Sequence, residues 1–223
     1  MQVGALLATV LPLALGAAVS PALFALEVLV LSGRRHPVSR GWAVAGGAAV
    51  MLILYTLLGL TVLEHVVHRR GHSATDAAID LGAALLLALL AIRALRRHPT
   101  AAESHNRRAS RMVDEPTVSF WGLGALAMLV NFSTLVLYLA ALHQISHSSV
   151  DLAEKTVVGV ILMLITLLPV LVPVLLVTVL GHKADPVLSR VNEFVGRHAR
   201  EITAGIEILF CLVLLFKGIG ELP

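Results

Sequence analysis

Apolar residues dominate this chain in long blocks, and the polar residues gather between them. The blocks run at about Val3–Ser32, Gly41–Leu63, Ala77–Leu95, Val118–Leu142, Thr156–Leu180 and Ile202–Ile219. Most reach the roughly 20 residues that a helix needs to cross a hydrocarbon core of about 30 Å. The pattern predicts an all-α polytopic membrane protein with six transmembrane helices. The linkers are short except for His98–Pro116, "HPTAAESHNRRASRMVDEP", a polar, Arg-rich stretch closed by a proline that reads as a loop. It divides the chain into a first three-helix repeat (1–97), a loop (98–116) and a second three-helix repeat (117–223). Three spans per half is an odd number, so the halves insert with opposite orientation, as a 3+3 inverted repeat requires.

Residues 184–199, "ADPVLSRVNEFVGRHA", differ from the blocks around them. Asp185 can cap a helix that has Pro186 at its first position. Val187, Leu188, Val191, Phe194 and Val195 then share a face, with Arg190, Asn192, Glu193 and Arg197 largely opposite. This predicts a short amphipathic helix at the cytoplasmic surface, ahead of the last span.

Charge fixes the expected orientation. Counting Lys and Arg loop by loop, thirteen fall on the side of the first, third and fifth loops and four on the other. The positive-inside rule then places both termini outside and the long loop in the cytoplasm of a bacterial inner membrane. The stretch before Arg34 holds no basic residue, so it reads as a retained span and not as a secretory signal. Composition agrees: 57% of residues are hydrophobic, 14% are charged, and the mean hydropathy is +0.88. A net charge of +3 whose basic residues lie between apolar blocks gives no argument for nucleic acid. A lone cysteine, Cys211, excludes an intrachain disulfide or a membrane dithiol reductase.

Candidate chemistry lies inside the spans. Ser20-Pro21 interrupts the first one. Proline cannot donate a backbone hydrogen bond and displaces the carbonyl four residues earlier. In lipid such a break survives only where protein or a water-filled cavity satisfies it. Pro12 adds a second kink, and Gly16 and Ala17 leave room for another backbone. The first span of the second half carries a polar cluster at its middle as well, Asn131 with Ser133 and Thr134. Paired irregularities at corresponding places in two halves point to a midplane transport site. Glu27 is an ionisable group within the first span, and a charge at depth costs at least about 2.5–3.5 kcal/mol. It is the first candidate for a coupling proton site or a substrate contact. Glu207 in the sixth span and Asp80 near the outer end of the third are the next. Tyr55, Thr56, Tyr138 and Thr166 read as interhelical hydrogen bonders.

His65, His68 and His72, and separately His143 and His147, fall at helical spacings that can chelate a transition metal, which makes them the alternative metal site. No cofactor is implied. No G-x-S-x-G, P-loop or H-E-x-x-H motif argues for an enzyme. Without an ATP-binding domain, transport would run on a gradient or a partner protein. Gly41, Ala45 and Ala49 form a small-residue stripe that can pack on a second copy, giving a homodimer, or on a neighbouring helix.

The stretches "SPALFALEVLVLSGRRHPVSRGWAVAGG", "GLGALAMLVNFSTLVLYLAAL", "LPVLVPVLL" and "LSRVNEFVGRHAREITAGIEILFCLVLLFKGIGEL", in this order and spacing, resemble the lysine-exporter (LysE) superfamily. Within it they are most similar to the peptidoglycolipid-addressing (GAP), or sulfolipid-addressing, branch of actinobacteria. The resemblance implies a six-helix inner-membrane transporter that moves cell-envelope glycolipids. Carried over by position, the family's proline after the first half-helix corresponds to Pro21. Its Asn-Pro pair in the fourth helix corresponds to Asn131-Phe132, where the proline is absent. Its paired prolines of the fifth helix correspond to Pro169 and Pro173. The expected function is secondary, flippase-like export of a lipid-linked or glycolipid envelope component, with membrane lipids and lipid-synthesis or lipid-export proteins as partners. The alternatives are an exporter of small solutes such as amino acids or of divalent metal ions, and a non-transporting accessory subunit of a lipid-export machinery.

Overall fold

The computed structural model describes residues 3–33, 36–67, 72–96 and 117–220, and among them every regular element is helical. In chain order these are α1 (Val3–Ala18), α2 (Pro21–Leu31), α3 (Pro37–Val67), α4 (His72–Arg96), α5 (Thr117–Leu129), α6 (Phe132–His147), α7 (Leu152–Thr166), α8 (Leu168–Leu180) and α9 (Asp185–Gly220). The loop expected over 98–116 lies outside the described residues.

Three of the expected spans are bent pairs. The axes turn by 52° between α1 and α2, by 72° between α5 and α6, and by 67° between α7 and α8. Each second helix begins where its sequence dictates. Pro21 stands at the start of α2 and Ser20 caps it, accepting from the Leu23 N–H at 3.3 Å. Pro169 occupies the first turn of α8. The break at Asn131 has no proline to force it. Pro12 lies inside α1, which continues past it. The start of α7 is fixed by a reciprocal capping box between Asp151 and Glu154. The C-cap of α8 is Gly181, with φ 56° and ψ −137°, a backbone region that essentially only glycine enters.

By length and composition, Pro37–Gly59 of α3 can cross a membrane as one helix, and each bent pair meets the same test when taken as one span. That gives up to four spans where the sequence pattern predicts six. The third expected span is represented by Leu81–Leu95 of α4, a shorter apolar helix. The sixth belongs to α9, whose first half is amphipathic. Here the structure differs from expectation: residues 184–199 do not form a separate short helix but open one 36-residue helix that runs on through the last apolar block. No proline or turn sequence interrupts "RHAREITAGIE", so nothing ends the helix before Ile202.

Helix α3 packs along α5, α1 along α6 and α7, α2 along α8, and α4 along α9. The core joins Leu6, Val10 and Leu13 of α1 to Leu52 of α3 and Leu137 and Ala141 of α6. Large apolar side chains such as Leu57, Leu85, Val179 and Phe216 cover the outside. An apolar exterior of this extent is what a hydrocarbon solvent demands. The guanidinium of Arg200 on α9 donates to the Leu95 carbonyl in the last turn of α4, capping that helix end with a basic group.

The tightest crossing is that of α3 on α5. A Cβ on Gly47 would overlap the Trp121 carbonyl, and one on Gly124 would overlap the Val44 carbonyl. Gly46 receives the Trp121 ring. The small-residue stripe is used internally as well: Ala45 is buried, and Gly41 lies against Glu27 and Val174. Because the neighbouring atoms at Gly47 and Gly124 are backbone, they cannot rotate away. Gly124→Val or Gly47→Val is therefore expected to lower stability by about 3 kcal/mol or more. Gly122→Ala and Gly82→Ala, which meet nothing within 4 Å, should be nearly neutral. Melting of the four variants in a neutral detergent, followed by size-exclusion fluorescence, separates the two classes.

Candidate functional site at the helix breaks

The breaks of α1/α2 and α5/α6 meet. The Asn131 side-chain amide donates to Ser20 Oγ at 2.8 Å, joining positions 111 residues apart. Ser20 thereby accepts from two partners, its own helix start and the opposite break.

The carbonyls freed by the breaks are also accounted for. Pro21 has no N–H for the Ala17 carbonyl, four residues back. That carbonyl is taken by the Thr134 hydroxyl of α6 at 2.9 Å. At the other break the equivalent carbonyl is that of Met128, four residues before Phe132. It accepts from the Asn131 N–H at 3.2 Å and from the Tyr55 hydroxyl of α3 at 3.3 Å. Thr56, beside Tyr55, shares a hydrogen bond of 2.7 Å with the buried Tyr138 hydroxyl of α6. Helices α3 and α6 thus hold the broken backbone from both halves. Gly16 admits a side chain, not the backbone expected from sequence: its missing Cβ would stand 2.6 Å from Cζ of Phe210 on α9.

Two carboxyls lie inside the bundle. Glu27 is fully buried, at 0% exposure, and neither oxygen has a hydrogen-bond partner. Its surroundings are Gly41 of α3, Leu31 of its own helix and Val174 of α8: a Cβ on Gly41 would lie 2.6 Å from Glu27 Oε1. Burying an unpaired charge is expensive, so this group suits taking and releasing a proton, or meeting a cationic or donor group when the helices part. Glu207, 3% exposed, lies near Ser133 in the first turn of α6 and leaves Oε2 without a partner.

Ser20, Asn131 and Thr134 are therefore joined at the breaks by hydrogen bonds, with Pro21 next to Ser20 and with Ser133 and Glu207 close by, while Glu27 stands two turns further along α2. Pro173 is buried next to Val174, near Glu27; Pro169 is half-buried at the bend of α7/α8. The side chains of Asp80, His65 and His72, and all of His68, lie outside the described residues. The His143 and His147 rings lie with their centroids 4.3 Å apart, tilted by 57° to each other. Among the described residues no group of three or more His, Cys, Asp or Glu side chains is placed to hold a metal ion. Tyr55 and Gly41 carry more of the site than their sequence context indicates. Gly41 lies in a small-residue stripe that reads equally as a packing surface, and Tyr55 reads as one more interhelical hydrogen bonder.

An all-helical body with an apolar exterior, broken helices joined at their breaks and buried carboxyls defines an integral membrane protein. Its family is equally plain: the model of "Sap, sulfolipid-1-addressing protein" matches residues 10–220, and the chain belongs to that family. This is the sulfolipid-addressing branch that the sequence motifs resemble. No curated protein and no solved structure matches the chain.

Thr134→Val should leave the Ala17 carbonyl unsatisfied and lower stability by about 1–3 kcal/mol, while Thr134→Ser should be close to wild type. Pro21→Ala restores an N–H that can reach that carbonyl. In a double-mutant cycle the Thr134→Val penalty should shrink by about 1 kcal/mol or more in the Pro21→Ala background, read as the difference in melting temperature between the paired variants.

Proposed function

We propose that this protein is a secondary, flippase-like exporter that moves a lipid-linked or glycolipid component of the cell envelope across the bacterial inner membrane, without covalent chemistry of its own. The observation that carries this reading is the hydrogen-bonded meeting of two broken helices, Asn131 on Ser20, beside buried carboxyls. Helix breaks at membrane depth persist where they line a substrate path. The family's printed description, a protein that addresses a sulfolipid, agrees with a lipid-borne substrate.

The 3+3 inverted repeat is part of the proposal. Ser20 and Asn131 occupy the same place at their breaks, and the freed carbonyls, Ala17 and Met128, are equivalent and both take a hydroxyl from another helix. The neighbours match too: α3 on α5 mirrors α7 on α1, α2 on α8 mirrors α6 on α3, and α9 on α2 mirrors α4 on α6. In this arrangement α4 and α9 supply the third and sixth spans, and the basic loops place both termini outside. Glu27, closed in by Gly41 and Val174, is the coupling group, and opening of that contact gives it access to water or substrate.

A second reading is favoured by one observation. The first half of α9 extends past the end of α4 at Arg200 and exposes Val187, Val191 and Phe194 on one face. Such an overhang suits an accessory subunit that positions a partner of a lipid-export machinery.

Glu27→Gln should abolish transport of fluorescent glycolipid in reconstituted vesicles while leaving the melting temperature within a few degrees of wild type; full activity would remove Glu27 from the mechanism. Native mass spectrometry of protein released from its own membrane should show a retained glycolipid mass that is lost from the Ser20→Ala/Asn131→Ala variant. If transport survives that double variant but fails when Val187, Val191 and Phe194 are made polar, the accessory reading replaces the first.

A further inference from the structure

The joint between the two breaks is not saturated. Asn131 commits its Nδ2 to Ser20 and makes no capping bond, so among the described residues its Oδ1 accepts nothing. Ser20 Oγ accepts twice, from the Leu23 N–H and from Asn131. A hydroxyl has two acceptor sites and one proton to give. Both acceptor sites are filled, and the Ser20 proton has no acceptor among the described residues. One unused acceptor and one unused donor therefore stand side by side, held in place by the bond that joins the two halves.

This pair is open to the outside of the bundle. Asn131 is half-buried, and its Oδ1 is not shut in as the free oxygens of Glu27 and Glu207 are. Ser20, 7% exposed, stands behind it. The exposed side chains around the joint are apolar. Val19 precedes Ser20 and is 47% exposed, and Phe132 follows Asn131 and is 49% exposed. Leu15, Leu129 and Val130 are exposed beside them. Asn131 lies about midway along the bent apolar stretch Ser119–His147. A water-filled vestibule for a small solute needs polar walls; walls of Val, Leu and Phe at this depth suit acyl chains. An acceptor left without a partner in such surroundings is costly. The four helices that form the joint, α1, α2, α5 and α6, contain no Lys or Arg, so none of them offers a cation to balance an anion. What complements the pair is an uncharged group that donates and accepts at once, which is a hydroxyl.

Resting on the transport reading above, we infer that the joint is a hydroxyl-binding site entered sideways from the bilayer, and that its ligand is a lipid-borne sugar headgroup. A sugar hydroxyl donates to Asn131 Oδ1 and accepts from the Ser20 O–H, while the acyl chains stay outside the bundle against Val19 and Phe132. The headgroup thus meets the protein without its chains passing through the core. A headgroup with several hydroxyls can exchange one for the next at the same pair, so it moves past the break without losing its partners in the apolar layer.

The test uses the full chain in phosphatidylcholine nanodiscs, with galactosylceramide, with ceramide, which lacks the sugar, and with free galactose. Native mass spectrometry should show galactosylceramide bound about tenfold more tightly than ceramide, the scale of one or two neutral hydrogen bonds. Asn131→Leu and Ser20→Ala should each bring the two lipids close to equal. Free galactose should not displace galactosylceramide, because it has no chains to carry it to this side of the joint. Equal binding of the two lipids by the unaltered chain, a preference that survives both substitutions, or displacement by free galactose overturns the inference. A second measurement leaves the joint intact and decides the matter if those variants do not fold. A bimane on Phe132→Cys, in a Cys211→Ser chain, should be quenched by lipids with a doxyl group on the acyl chain and not by iodide; quenching by iodide and not by doxyl lipid overturns the sideways entry. Transport reports separately. Galactosylceramide that binds in this way but is not moved across vesicles sinks the transport reading alone, and movement that is unchanged in the Asn131→Leu and Ser20→Ala variants sinks this inference alone.

Discussion

Every structural choice in this protein answers one constraint: a backbone carbonyl or amide inside hydrocarbon must find a partner within the protein. An unbroken helix meets it without help. A broken one does not, and this chain breaks three of its apolar stretches. The hydroxyls of Thr134 and Tyr55 meet the constraint at Ala17 and Met128, and each comes from a different helix from the one it repairs. The breaks are therefore also the joints of the bundle, since the backbone of each half is completed by side chains reaching across to it. The close glycine crossing of α3 on α5 brings α3 near enough for Tyr55 to reach the end of α5.

The same economy sets the electrostatics. The hydrogen-bonded centre holds hydroxyls and an amide, with the Glu207 carboxyl close by, Glu27 two turns away and the basic side chains toward the helix ends. A carboxyl without a partner at 0% exposure is costly while it is charged, and the close packing around Gly41 offers it no donor. The group and the contact that encloses it are thus one unit: a change in its charge is also a change in whether α2, α3 and α8 can stay together.

Much of this was legible in the sequence. The alternation of apolar blocks and basic loops gave the helical class, Ser20-Pro21 gave the first break, and the motif order pointed to the sulfolipid-addressing family that the full-length match shows. The break at Asn131 was only half legible. The polar cluster marked its place, but Phe132 stands where a proline would have announced it, and the 72° turn is held by tertiary bonds, from Asn131 to Ser20 and from Tyr55 to Met128, that have no local signature. Gly41 was legible as a small residue but not as the lid over Glu27, because that contact joins helices with no fixed register in sequence. The separate amphipathic helix was misread because a change in side-chain polarity, unlike a glycine or proline, does not stop a helix.

That last difference has a mechanical side. A 36-residue helix with no break is a stiff rod of about 54 Å, and α9 is held partway along where Arg200 grips the end of α4. Val187 lies about 20 Å to one side of that grip and Glu207 about 10 Å to the other. The helix is therefore a lever with arms of roughly two to one: a sideways push on its first turn arrives at Glu207 reversed in direction and halved in size. A displacement of a few ångströms at that first turn becomes one of an ångström or two at the buried Glu207 carboxyl.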